Sequence, residues 1–130
     1  MKHLSAYISI VLLTALSVSS CASSIPASLV GINIRDLESA RADGRIETVS
    51  LSYNDAYNKV MDIIKDNKLV VFRSSKKAKY IVFIGLPNQT NTTRVGVFFE
   101  SISDNNTEIT VSSLSDTALE KAAAIIFGQI

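Results

Sequence analysis

The sequence predicts an α+β fold over residues 46–130: a two-layer domain whose mainly antiparallel sheet carries two helices on one face, in the order β-α-β-β-β-β-α. Three observations predict it. Residues 53–66 repeat apolar side chains at helical spacing. Four short runs rich in β-branched and aromatic residues follow, separated by brief polar turns that suit antiparallel neighbours. A second helical stripe closes the chain.

The N-terminal part is of a different kind. Lys2 precedes residues 4–22, which carry no charge and include Ile8, Ile10, Val11, Leu12, Leu13 and Leu16. The run thins into Ser17, Ser19 and Ser20 before reaching the roughly 20 strongly apolar residues of a membrane-spanning helix. Residues 1–20 therefore have the form of a secretory signal peptide. Residues 21–45 read as a cysteine followed by a tether, which opens with an Ala/Ser-rich stretch containing Pro26. Within it, Leu29, Val30, Ile32, Ile34 and Leu37 fit either a short strand running into a short helix or a segment lying on a lipid surface or on the domain. Asp43-Gly44 marks a turn.

From Ile46 the pattern sharpens. Residues 46–51 have the β-branched content of a strand. Ser52 followed by Asp55 is a capping arrangement, with the serine oxygen placed to accept a backbone N–H and the carboxylate at the positive helix end. Tyr53, Ala56, Tyr57, Val60, Met61, Ile63 and Ile64 then form the inward stripe, and Asn67 is the expected left-handed stop. Strands are predicted over 69–73, 79–86, 94–101 and 108–112. Ser113 with Asp116 repeats the capping signature before a helix whose stripe is Leu119, Ala122, Ala123 and Ile126. The runs 69–72, 80–84 and 97–99 are apolar without alternation, which predicts burial on both sheet faces. Two helices cover one face. The other is left to meet the segment 29–37, a second copy or another protein.

Val18-Ser19-Ser20-Cys21 resembles the lipobox of bacterial lipoprotein precursors, with an aliphatic residue, two small ones and then cysteine. The family prefers leucine where this chain has Val18. The resemblance implies cleavage before Cys21, a diacylglyceryl group on its sulfur and acylation of the new amino group. Two or more acyl chains make membrane attachment stable. Ala22 stands where a common inner-membrane retention signal has aspartate, so the resemblance implies an outer-membrane, periplasm-facing location. The domain layout likewise resembles small bacterial lipoprotein domains that have no assigned reaction, and it brings no catalytic residues with it.

The chain has one Cys, one His and 13 basic residues against 12 acidic ones. A single cysteine excludes an intrachain disulfide. His3 and Lys2 both lie in the leader, so the remainder has no imidazole and no formal net charge. No affinity for nucleic acid follows. Triads that need histidine, and zinc sites built from His and Cys, lack their ligands. The stretch 104–108 lacks the central glycine and distal glutamate of a calcium loop. Glu100 and Glu108 fall on neighbouring strands and read as a solvated pair rather than a glycosidase pair. No catalytic residue, metal site or cofactor is expected.

The expected function is thus a non-enzymatic binding or adaptor module held at the membrane through acylated Cys21. It would bind an envelope protein or a second copy through the open sheet face or through the polar loop containing Asn88, Gln89 and Asn91. The basic turn with Arg73, Lys76, Lys77 and Lys79 reads as a solvated hairpin, with anionic headgroups or cell-wall carboxylates as its other reading. An alternative function is the binding of a lipid or other apolar ligand lined by Phe72, Phe83, Phe98 and Phe99.

Overall fold

The computed structural model describes residues 34–90 and 93–130. The chain runs α1 (Ile34–Ser39), a single 3-10 turn (Ala40–Asp43), β1 (Arg45–Val49), α2 (Tyr53–Asp66), β2 (Val70–Ser75), β3 (Tyr80–Ile84), β4 (Val95–Ser103), β5 (Asn106–Ser113) and α3 (Asp116–Gln129). The five strands form one sheet in the order β1-β5-β4-β3-β2, antiparallel at every join. The class is α+β, as the sequence predicts. The helix count is not: a third helix, α1, precedes β1, and the helices are not confined to one face.

Register sorts the side chains between the two faces. Ile81, Val97 and Val111 stand opposite one another in a row across β3, β4 and β5. One residue along, Tyr80, Phe98, Thr110 and Ile46 form the next row and point to the other face. The first face carries the main core, where Ile81, Phe83, Val95, Val97, Phe99, Ile109 and Val111 meet α2 and α3. Ala56, Tyr57, Val60, Ile63 and Ile64 are the buried side of α2, and Ala118, Leu119, Ala122, Ala123 and Ile126 that of α3. Both stripes follow the sequence pattern.

The helix ends show where local signals hold and where they shift. Ser52 caps α2 by accepting the Asp55 N–H at 3.2 Å. The chain then leaves α2 through Lys68, not Asn67: Lys68 has φ of 58°, whereas Asn67 has φ of −89°. Lys68 N–H reaches the Lys65 carbonyl at 3.0 Å and Leu69 N–H the Ile64 carbonyl at 2.9 Å, which closes the last turn around a left-handed residue. Asn67 instead uses its amide, donating to the Ile63 carbonyl at 2.7 Å. On α3 the cap is Ser115, which accepts the Ala118 N–H at 3.3 Å. Ser113 is drawn away to donate to the Arg94 carbonyl at 2.9 Å.

A second correction concerns β2. Ile81, Val82 and Phe83 of β3 are buried on both faces, and so are Val97, Phe98 and Phe99 of β4. β2 is an outer strand, and its Val70 and Phe72 stay 55% and 42% exposed. Its register shifts between Val71 and Arg73, so Phe72 sits at a bulge.

Candidate functional site

The second sheet face is where a binding surface was expected, and its centre is closed by the chain itself. Leu37, 1% exposed, seats on Val82 and Phe98 and buries a side chain worth about 1.5–3 kcal/mol. Gly96 on β4 makes that seat possible, since a Cβ there would stand 2.8 Å from the Phe98 ring and 3.4 Å from the Leu37 Cβ. The Ser112 hydroxyl donates to the Leu37 carbonyl at 2.6 Å. The guanidinium of Arg41, in the 3-10 turn, lies 4.7 Å from the Phe98 ring centroid. Segment 34–43, part of the predicted tether, is thus packed structure over β3, β4 and β5.

Among the described residues this face stays open at its two margins, at Ile46 of β1, which is 55% exposed, and toward β2. Val70 stands opposite Ile84, the last residue of β3, and Arg94 immediately precedes β4 at the same end of the sheet. The Arg94 guanidinium stacks 3.8 Å from the Phe72 ring centroid, so the exposed ring carries a cation on one face. Val70, Phe72 and Arg94 form an apolar patch with one positive charge.

The connection between β3 and β4 rises from this same end. Gly85 has φ of 94° and Asn88 φ of 60°, and Leu86, 4% exposed, pins the loop to the core. Gln89 N–H bonds the Leu86 carbonyl at 3.2 Å, Thr93 N–H bonds the Thr90 carbonyl at 2.9 Å, and Lys121 on α3 donates to the Pro87 carbonyl at 3.1 Å. The exposed Asn88 and half-buried Gln89 are therefore carried on a braced loop beside the patch. Asn91 lies outside the described residues, and so do Val18, Ser19, Ser20 and Cys21.

Other sequence candidates separate. Phe83 and Phe99 lie in the main core, Phe98 lies under Leu37 on the opposite face, and Phe72 is exposed. The four do not line one cavity. Glu100 and Glu108 are direct cross-strand partners, Glu100 exposed and Glu108 half-buried. Among the described residues no three His, Cys, Asp or Glu side chains gather as metal ligands. Two lysines of the basic hairpin turn onto aromatic rings: Lys76 Nζ lies 5.7 Å from the Tyr57 centroid and Lys79 Nζ 5.5 Å from that of Tyr53. Those two rings pack with Phe99 at centroid separations of 5.4–6.0 Å. Burial, and then the neighbouring Tyr57, raise the pKa of Tyr53.

The Arg94–Phe72 stack is the feature that sequence reading missed. Its only local trace is an arginine directly before one strand and an aromatic in another, and the bulge that aligns them is set by strand pairing. Among the described residues no helix is long and apolar enough to cross a membrane. No protein-family model matches the chain, and no curated protein matches it.

Proposed function

We propose that the chain is a lipid-anchored envelope protein that binds a partner without catalysing a reaction and holds it near the membrane. The observation that carries the reading is the run Val18-Ser19-Ser20-Cys21 at the end of an uncharged leader. Acylation of Cys21 would supply the attachment. Residues 22–33 lie between Cys21 and the start of α1 at Ile34, and a chain of that length spans at most roughly 40 Å. Confinement to that distance raises the local concentration of whatever the domain binds.

The binding surface in this proposal is the patch of Val70, Phe72 and Arg94 together with Asn88 and Gln89 on the adjoining loop. Its support is the combination of an exposed aromatic, a stacked cation and amide side chains on a braced scaffold. The partner is an envelope protein, and the outer membrane is the proposed site. Replacement of Cys21 by serine tests the anchor: metabolic palmitate labelling disappears and the protein leaves the outer-membrane fraction. Labelling that persists in that variant would contradict the assignment.

A further inference from the structure

We infer that β1 is a dimerisation edge, pairing antiparallel with β1 of a second copy to make one continuous ten-stranded sheet. Among the described residues, β1 is bonded to β5 on one side and to no strand on the other. Every residue from Arg45 to Thr48 is exposed, and Ile46 is 55% exposed on the sheet face opposite α3. A bare strand edge with a large apolar side chain is a template for pairing.

The sequence of β1 selects the register. Two copies of one strand related by a two-fold axis must centre on a residue, because directly opposed residues share a face. Centring on Arg45 sets arginine against arginine, and centring on Glu47 sets glutamate against glutamate. Centring on Thr48 leaves Ile46 against Ser50. With Ile46 at the centre, Ile46 meets its own copy and Arg45 faces Glu47 of the partner subunit, twice over. Opposed charges and opposed apolar residues both stabilise a cross-strand pair. Arg45 also pairs with Glu120 on α3, with side chains 51% and 59% exposed, so its guanidinium already lies over the face where that glutamate would arrive.

Edge pairing over so few residues buries too little surface to hold a dimer by itself, since stable interfaces bury more than about 1,000 Å² in total. The remaining area comes from the adjoining groove between β1 and α3, lined by Ala123, Ala124, Phe127 and Gly128. Ala124 is exposed, Phe127 is half-buried, and a Cβ at Gly128 would meet nothing within 4 Å. Joining the two edges brings the two α3 helices side by side over this groove. The inference rests on β1 and α3 alone and does not depend on the anchor.

The test uses the full chain carrying Cys21→Ser, which removes its one thiol, in mild detergent. Sedimentation equilibrium should give twice the chain mass. Glu47→Lys alone and Arg45→Glu alone should each shift it to the monomer, whereas an equimolar mixture of the two should restore the dimer. That rescue separates lost complementarity from misfolding. In the same background Ile46→Cys should form an intermolecular disulfide on mild oxidation, and Thr48→Cys should not. A monomeric parent chain, a dimer indifferent to both charge reversals, or crosslinking through position 48 instead of 46 would each overturn the inference.

Discussion

The Ser112 hydroxyl and the Leu37 carbonyl, 75 positions apart in the chain, meet at 2.6 Å inside the protein. The bond fastens α1 to β5 and, among the described residues, leaves the second sheet face covered at its centre and open at its β1 and β2 margins. It therefore decides which part of that face a partner can reach.

Removing this contact should loosen α1 without dissolving the main core. Ser112→Ala leaves the buried Leu37 carbonyl without its donor and should cost about 1–3 kcal/mol. Leu37→Ala, which empties the seat on Val82 and Phe98, should cost about 2–5 kcal/mol. Denaturant unfolding gives both values, and hydrogen exchange should show the lost protection concentrated in α1 and the 3-10 turn. An unchanged midpoint in both variants would mean that α1 is not part of the cooperative unit.

The left-handed residue that ends α2 is a lysine, so a side chain pays a steric cost there that glycine avoids. Lys68→Gly should raise the unfolding free energy by roughly 0.5–1 kcal/mol, and Lys68→Val should lower it. The same pair of changes at Asn67, whose amide holds Ile63 and Gln129, should destabilise in both cases.

Tyr53 gives a pH signature whose sign is fixed. Its phenol has a folded pKa above the ordinary value of 10.0, caused first by burial and then by Tyr57. The native state thus holds the proton more tightly than the unfolded state, and the associated stability is present below the unfolded pKa. It is lost as pH rises past 10 and through the folded value. Tyr53→Phe should remove this alkaline loss from a series of denaturant titrations, although it also removes the phenol donor to the Lys76 carbonyl. A parent stability that stays flat across the alkaline range would contradict the assignment.

Partner capture should depend on the patch and not on the fold. Phe72→Ser changes an exposed ring and Arg94→Ala the half-buried cation stacked on it, and each should shift stability by no more than about 1 kcal/mol. Crosslinking in whole cells should nonetheless lose its partner band in the double variant, with Asn88→Ala weakening it further. A band of undiminished intensity would move the binding surface elsewhere on the domain.

Much of this architecture is written locally. The α2 stripe is legible because each buried side chain recurs at the helical period, and the double burial of β3 and β4 is legible because their apolar runs do not alternate. α1 is less so: its six residues contain one buried side chain, Leu37, and no periodic pattern. The apolar run of β2 resembles that of β3, yet one strand is at the sheet margin and the other inside it, which is a property of strand order. Lys68 was hidden because a left-handed lysine has no composition signal. Ser113 shows competition, since its hydroxyl could cap α3 but finds the Arg94 carbonyl instead, and Ser115 takes the cap. Of the loop residues, sequence marked Asn88 and Gln89, while the Arg94–Phe72 stack beside them required the bulge in β2.

The proposal rests on one piece of chemistry, that Cys21 becomes the first residue of the working protein and carries its membrane anchor. Mass spectrometry of the protein extracted from membranes, read at its N-terminal peptide, tests it most directly. The expected peptide starts at Cys21 and carries a diacylglyceryl group on sulfur with a further acyl chain on the amino group. A peptide that starts elsewhere, or a Cys21 with an unmodified thiol, would contradict it.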